Sequence, residues 1–289
     1  MEPKQKTAPE GLPGELPKAA LRKPEPEALQ GRKHARILLV DDDPMVAKAL
    51  TRGLGRCGYE CATSVNPIEA LALYKQGGFD LVISERQMPE MGGLELLQEI
   101  RKHDPAARVI ILSGGMSVAD EDRFHASGAA AVMGKPFDAD LMKIMAGLVL
   151  ESSGKVPASP EKREAGKALS VLVVDDDMDN LGAMRDVLEA LGYEPVAFSR
   201  GIEAVARYMQ GGIDVVITDF HMPEMDGLQV VTAIKALDHR AAIVVASAEA
   251  DSDERQALKC AGAMKVLRKP IDMAELEQAI EAAGNIKTA

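Results

Sequence analysis

The chain has 289 residues, which is long enough for two domains of ordinary size. Its formal net charge of −11 predicts that it binds no nucleic acid directly, because an acidic surface repels phosphate backbones. No apolar run approaches the roughly 20 residues that cross a bilayer, and the N-terminus lacks the apolar core of a signal peptide. We therefore expect a cytoplasmic protein with no membrane insertion.

The three cysteines form no even framework for disulfides. Cys57 and Cys61 have the spacing of half a metal site, but no second pair of ligands accompanies them. We predict that the cysteines are small buried hydrophobic residues in a reducing compartment.

In chain order, residues 1–34 come first and are rich in Pro, Glu and Lys without a hydrophobic period, which predicts a disordered tail. Strand and helix patterns then alternate. The predicted strands are "ARILLV", "YECATSV", "FDLVIS", "RVIILS" and "AAVMG", and the predicted helices are 44–56, "PIEALALYKQ", "GLELLQEIRK", 119–126 and "DADLMKIMAGLVLE". Five strands alternating with five helices predict a parallel sheet with right-handed crossovers.

The same pattern then recurs, so the chain contains an internal repeat. We define the first repeat as residues 35–152, a linker as residues 153–168 and the second repeat as residues 169–286. Four landmark pairs share one separation of 134 positions: Asp41 and Asp175, Glu85 and Asp219, Ser113 and Ser247, and Lys135 and Lys269.

Polar residues follow the predicted strands of the second repeat where each strand ends. They are the run Asp175 to Asp177, then Asp219, Ser247 and Lys269. In a parallel sheet these ends share one edge, so the side chains are expected to converge. Crowded carboxylates need a cation to stay ionised, and oxygen-only ligands suit Mg²⁺ better than zinc. An Asp beside a Lys and a hydroxyl predicts metal-assisted phosphoryl transfer onto a carboxylate.

Four motifs of the second repeat, "VVDDD", "DFHMPEMDG", "VVASAEA" and "KP", stand in the order and spacing of a known family. Each repeat resembles a receiver domain of bacterial two-component response regulators, in particular the chemotaxis-type single-domain receivers. The resemblance implies an α/β fold of two tandem flavodoxin-like (βα)5 domains. Each would have a five-stranded parallel sheet in the order 2-1-3-4-5.

The resemblance also implies roles for the site residues. Asp219 would be the phosphoacceptor. Mg²⁺ would be held by Asp175, Asp176, Asp219 and the main-chain carbonyl of His221. Lys269 would pair with the phosphoryl oxygens, Ser247 would donate a hydrogen bond to one of them, and the Lys269–Pro270 peptide would be cis.

The first repeat keeps Asp41, Asp42, Ser113 and Lys135 but carries Glu85 where the second has Asp219. Three interpretations stay open. The first repeat is an unphosphorylated pseudo-receiver kept for its fold and surface, or Glu85 mimics the phosphorylated state by bridging to Lys135, or Glu85 is itself phosphorylated. The last is disfavoured, because a longer nucleophile loses its alignment.

About three residues follow the second repeat, so the sequence predicts no output domain and no enzyme activity beyond receiver self-phosphorylation and autodephosphorylation. The expected partners are a histidine kinase or histidine phosphotransfer protein and a downstream protein target. Receiver–receiver dimerisation through helix four, strand five and helix five is one option, within a chain or between chains. A phosphate sink, a phosphate-independent scaffold or adaptor, and an Asp-nucleophile phosphohydrolase that would use Asp175 are the alternative functions.

Overall fold

The computed structural model describes residues 35–152, 168–248 and 251–288, with side chains described as far as residue 284. The prediction of a disordered tail over residues 1–34 lies outside the described residues, and so does the predicted linker over residues 153–168 except for its last residue. Among the described helices, none is long and apolar enough to cross a membrane.

Strands and helices alternate through the first repeat as the sequence pattern predicts. The strands are β1 (Arg36–Val40), β2 (Glu60–Ser64), β3 (Leu81–Glu85), β4 (Val109–Ser113) and β5 (Ala131–Gly134). The helices are α1 (Pro44–Gly55), α2 (Pro67–Gln76), α3 (Gly93–His103), α4 (Val118–Ala126) and α5 (Ala139–Glu151).

The second repeat has the same succession of elements. The strands are β6 (Ser170–Val174), β7 (Glu194–Phe198), β8 (Val215–Asp219), β9 (Ala242–Ser247) and β10 (Lys265–Arg268). The helices are α6 (Met178–Ala190), α7 (Gly201–Tyr208), α8 (Gly227–Leu237), α9 (Ser252–Ala261) and α10 (Met273–Thr288).

Each repeat contains one five-stranded sheet, and all strand pairs are parallel. The strand orders are β2-β1-β3-β4-β5 and β7-β6-β8-β9-β10. The predicted order 2-1-3-4-5 is therefore confirmed in both repeats. The central strands are buried on both faces, which explains their near-continuous runs of Val, Ile and Leu.

Glycine fixes how closely one helix in each repeat approaches the site edge. A Cβ atom on Gly227, at the start of α8, would lie 2.5 Å from the carbonyl oxygen of Asp219. A Cβ atom on Gly93, at the start of α3, would lie 2.5 Å from the carbonyl oxygen of Glu85. Any larger residue would push the helix away, so this glycine in both motifs keeps the helix against the end of the strand.

The two repeats pack against each other through different faces. The first repeat contributes α4, the edge strand β5 and α5, and the second contributes α8 and the turn that follows it. Among the described residues, two hydrogen bonds cross the rim: Gln229 Nε2 donates to Asp138 Oδ2 at 3.0 Å, and Arg240 Nη2 donates to Asp122 Oδ2 at 2.7 Å. We call this contact the inter-repeat interface; it is asymmetric and covers the edge of β5.

The interface explains why two helices depart from the usual one-sided pattern. Leu141 and Leu148 on α5 are buried, whereas their counterparts on α10, Glu275 and Ala282, are exposed. On α8, Ala233 and Ala236 are buried, and the matching positions on α3 carry Glu99 and Lys102, which form a surface ion pair. These additional apolar positions therefore lie on helices that meet the other repeat.

The prediction for the cysteines is wrong at two of three positions. Cys57 and Cys260 are exposed and Cys61 is half-buried, and all three are free thiols. Cys57 lies just past the end of α1 and Cys260 lies in the last turn of α9, where neither side chain packs against its sheet. Burial raises the pKa of the Cys61 thiol to about 11.

Candidate functional site

The carboxyl ends of four strands bring the predicted residues of the second repeat together. Asp175 follows β6, Asp219 ends β8, Ser247 ends β9 and Lys269 follows β10. The Lys269–Pro270 peptide is cis, as the resemblance implies.

Lys269 lies between two carboxylates. Its Nζ atom is 2.7 Å from Asp175 Oδ2 and 2.7 Å from Asp219 Oδ1. Burial alone lowers the pKa of this ammonium, but the hydrogen bonds to Asp175 and Asp219 outweigh it, so the pKa lies above its usual value. The side chain stays 24% exposed, so a ligand at the site edge has access to the cation.

Asp175, Asp176 and Asp219 form a cluster of carboxylates. One oxygen from each lies within 4.8 Å of the others, and the three side chains are respectively buried, exposed and half-buried. Hard carboxylate oxygens with one side open to water are the ligands that Mg²⁺ prefers. The donor set therefore fits Mg²⁺.

The third aspartate of the run is not part of this cluster. Asp177 is the N-cap of α6, and its Oδ1 accepts hydrogen bonds from the N–H groups of Asp179 and Asn180. Its carboxylate is engaged at the helix terminus, as is usual for Asp at an N-cap. The expectation that all three aspartates converge is therefore wrong for Asp177.

Ser247 is a buried hydroxyl without a partner. Its side chain is 2% exposed, and its Oγ atom makes no hydrogen bond with any described residue. Buried hydroxyls are nearly always satisfied, because an unmade hydrogen bond costs about 1–3 kcal/mol. An orphaned hydroxyl at the end of the strand next to Asp219 is therefore suited to an incoming oxygen.

The first repeat has the same framework but a different site. Lys135 Nζ lies 2.9 Å from Asp41 Oδ2 and 2.7 Å from Glu85 Oε2. The other oxygen of Glu85, Oε1, accepts a hydrogen bond from the Gln87 N–H at 3.0 Å. The bridge between Glu85 and Lys135 that one interpretation requires is present, and the longer side chain also reaches the main chain of the following loop.

Two further features separate the repeats. Ser113 Oγ, unlike that of Ser247, donates to the Gly115 carbonyl at 3.0 Å and accepts from the Gly115 N–H at 3.3 Å. Within the described ranges, the cluster of three acidic groups that suits a metal occurs in the second repeat, and Asp41, Asp42 and Glu85 do not form one. The glutamate site is thus internally satisfied and the aspartate site is not.

A family model described as the response regulator receiver domain matches residues 37–146 and 171–281, which is more than half of the chain. The chain belongs to the response regulator receiver domain family. Both repeats are thus receiver domains, the modules that operate in phosphorelay signalling.

Several known proteins are similar to these receiver domains. The transcriptional regulatory protein GlrR of Escherichia coli K12 is 38% identical over 134 residues, which are 46% of this chain and 30% of GlrR. The sensor histidine kinase RcsC of the same strain is 33% identical over 107 residues, which are 37% of this chain and 11% of RcsC. The chain therefore spans less than a third of either relative.

Among solved structures, one similar protein is the response regulator TrrA from Thermotoga maritima in complex with Mg²⁺-BeF. It is 35% identical, with a TM-score of 0.37, over 40% of this chain and 98% of that chain.

Sequence reasoning missed a tie that holds the acceptor loop of each receiver. Glu224, in the loop after Asp219, has a positive φ of 69° and accepts hydrogen bonds from Arg200, which precedes α7. In the first repeat Glu90 has a φ of 67° and accepts from Asn66 Nδ2 at 3.0 Å. The glutamate shared by both "MPEM" segments is the sequence feature that could have indicated this contact. In each receiver the side-chain hydrogen bond of this glutamate holds its unfavourable backbone geometry.

A cavity of about 280 Å³ beside Asp219 was also missed. Its walls include Met184 and Val187 on α6 and Ile271 and Met273 after β10. At the position matching Ile271 the first repeat carries Phe137, which packs into its core. A local sequence pattern does not predict a cavity, because the cavity depends on the summed volumes of side chains that are distant in sequence.

Proposed function

We propose that this chain is a cytoplasmic phosphorelay response regulator whose second receiver takes a phosphoryl group on Asp219 in a Mg²⁺-dependent reaction. The donor is a histidine kinase or a histidine phosphotransfer protein. The observation that carries the proposal is the unsatisfied site of the second repeat. Three clustered carboxylates, a bridging Lys269 and the Ser247 hydroxyl, which has no partner among the described residues, lie at the carboxyl ends of neighbouring strands.

Each residue has a defined part in the transfer. An oxygen of Asp219 attacks phosphorus, the bond from phosphorus to the donor's imidazole nitrogen breaks, and the electron pair leaves with the imidazole. Lys269 moves from Asp219 to a phosphoryl oxygen, and Ser247 donates a hydrogen bond to another. Bound Mg²⁺ supplies charge neutralisation of the phosphoryl oxygens, and Asp175, Asp176, Asp219 and the His221 carbonyl would hold it.

The cavity beside Asp219 supports a protein donor. It opens next to the acceptor, and Met178 and Met273 expose large apolar side chains nearby. Methionine adapts to irregular partners, so an apolar side chain of the donor protein fits this surface. A free small-molecule donor would need no such apolar contact.

The output of the chain is proposed to be a change in binding to a downstream protein target. Both repeats are receiver domains of response regulators. The same chemistry would serve a phosphate sink, a receiver that drains phosphoryl groups from a kinase shared with another regulator. A sink differs from a regulator with a target in one observable: its phosphorylation changes no affinity for any partner other than the kinase.

Acetyl phosphate tests the acceptor assignment. Wild-type protein with Mg²⁺ is expected to gain the mass of one phosphoryl group, and Asp219→Asn is expected to gain none. Absence of the adduct when EDTA is present during the reaction checks the metal. Uptake of a phosphoryl group by the Asp219→Asn variant would contradict the proposal. Turnover of a phosphomonoester that Asp175→Ala abolishes and Asp219→Asn does not would contradict it in favour of a phosphohydrolase.

For the first receiver, we propose that Glu85 mimics a phosphorylated acceptor. Its carboxylate contacts Lys135 and the Gln87 N–H at once, the kind of cation and main-chain donor that a phosphoryl group uses. Glu85→Gln keeps the length of the side chain but removes the charge, and Glu85→Asp keeps the charge but shortens the reach. Both are expected to weaken binding to the downstream target, and unchanged binding in both variants would show that the first receiver serves only as a scaffold.

A further inference from the structure

The inter-repeat interface contains a histidine from each repeat. The rings of His125, at the end of α4, and His239, in the turn after α8, stack with centroids 6.0 Å apart and an interplanar angle of 16°. Their counterparts by the repeat offset are Lys259 and Pro105, so the internal repeat does not generate the pair. It exists because these two faces meet.

The rings are withdrawn from water. The Nε2 atoms of both rings are buried and make no hydrogen bond with any described residue, and the side chain of His239 is 12% exposed. A neutral imidazole tolerates this environment at modest cost. A second positive charge in the pair does not, because it would be desolvated and would face the first at short range.

Charged side chains of both signs surround His239. On α4, Glu121 Oε2 lies 3.8 Å from His239 Nδ1 and Asp122 Oδ1 lies 3.3 Å from His239 Nε2. Asp122 also pairs with Arg240. Lys235 on α8 donates to the His239 carbonyl at 2.8 Å and brings a further cation to the cluster.

His125 lies in a less favourable position for a proton. Burial and then the charge of His239 hold its pKa below the usual 6.5, against the smaller opposing effects of Asp238, the main chain at Ala129, and Asp122. Burial likewise lowers the pKa of Lys235 and raises that of Glu121.

The sign of the pH effect follows from these directions. Because the pKa of His125 is depressed in the docked state, its contribution to docking is present above pH 6.5 and is lost as the pH falls through the depressed value. Glu121 acts in the opposite sense, since a raised carboxyl pKa favours the docked state as that group takes a proton, beginning above its usual 4.5. Acid therefore weakens docking in the window below 6.5 and above the range in which Glu121 protonates.

We propose that the stacked His125–His239 pair makes the inter-repeat interface an acid-sensitive latch, which holds the two receivers together at neutral pH and releases them as His125 takes a proton. The latch is independent of phosphotransfer at Asp219, from which it differs in position and in chemistry. Acid opening would separate α8 of the second receiver from α4, β5 and α5 of the first.

The first test is an NMR titration of the histidine ring protons in the full chain. His125 is expected to titrate below 6.5 in wild-type protein and to return to about 6.5 in Leu148→Glu, which buries a carboxylate in the interface. The signal of His103, exposed at the end of α3, is expected to be the same in both chains. A wild-type His125 that titrates at or above 6.5, or that does not respond to Leu148→Glu, overturns the proposal.

The second test reads docking itself. Spin labels on the exposed native thiols Cys57 and Cys260 report one distance between the repeats, in a chain carrying Cys61→Ala and Leu148→Ala so that opening is measurable. Between pH 7.5 and pH 5.5 the opening constant is expected to rise several-fold, with a limit of about tenfold for a single proton. His125→Phe keeps a ring in the stack and is expected to abolish this rise. An equal rise with His125→Phe, or no rise in the parent chain, contradicts the latch.

Discussion

At the scale of single residues, the two receivers differ in whether their site hydroxyl has a partner. Ser113 and Ser247 occupy the same position and are both buried, at 1% and 2% exposed. Ser113 is satisfied by Gly115, whereas Ser247 Oγ has no partner within the described part of the chain. A satisfied hydroxyl stabilises the fold and an orphaned one does not, so the same substitution should have opposite consequences in the two repeats.

Ser113→Ala is expected to lower the free energy of unfolding of the first repeat by about 1 kcal/mol and to leave phosphorylation by acetyl phosphate unchanged. Ser247→Ala is expected to leave stability unchanged or slightly raised and to slow phosphorylation. Urea denaturation and intact-mass time courses measure the two quantities. Equal effects of the two substitutions on the phosphorylation rate would show that Ser247 has no special part.

The two lysines make a matched pair for the role of the cation. Lys135 and Lys269 are 25% and 24% exposed, and each bridges two carboxylates. Replacing either by Ala leaves two acidic groups unpaired, so similar losses of stability are expected. Lys269→Ala should in addition slow phosphorylation by about 10²- to 10³-fold, as loss of a charge-stabilising donor does. A comparable slowing of phosphorylation in Lys135→Ala would contradict the assignment of the acceptor to the second repeat.

At the scale of helices and strands, the interface depends on α5 and α8 being apolar on two sides. Leu148 is buried and its counterpart on α10, Ala282, is exposed. Leu148→Glu is expected to weaken docking by about 3 kcal/mol or more, because it removes apolar burial and places an unpaired carboxylate in the interface. Ala282→Glu at the matching position should have no effect.

Small-angle scattering of the full chain measures this difference as an increase in radius of gyration in Leu148→Glu but not in Ala282→Glu. Circular dichroism checks that both receivers stay folded. An unchanged radius of gyration in Leu148→Glu would show that α5 does not hold the repeats together.

Much of the fold was predictable from the sequence because local patterns determine it. The constant offset between Asp41 and Asp175 and between Lys135 and Lys269 revealed the repeat. The alternation of apolar strands with helices then predicted a parallel sheet and the edge on which the polar residues converge, and the resemblance to receiver domains implied the strand order. These features depend on chain order, which the sequence displays directly.

The site details and the interface were less predictable because they depend on contacts between distant segments. Ser113 and Ser247 are the same residue at matching positions, yet among the described residues only the Ser113 hydroxyl has a hydrogen-bond partner. The interface did leave a signal: "LMKIMAGLVLE" and "GLQVVTAIKAL" are apolar around most of the helix, a pattern typical of helices buried on two sides.

At the scale of the whole molecule, the chain combines one receiver with a satisfied site and one with an open site, joined through an interface that contains a titratable pair. We propose that the second receiver supplies the reactive carboxylate, and that Mg²⁺ and a phosphoryl group act at this receiver alone.

Amide NMR with Mg²⁺ and beryllofluoride, a stable mimic of the bound phosphoryl group, tests this claim most directly. We expect large shifts for the loop after Asp219, for Ser247 and for Lys269, and no comparable shifts at Glu85, Ser113 and Lys135. Shifts centred on the first receiver, or a spectrum that stays unchanged when both reagents are present, would contradict it.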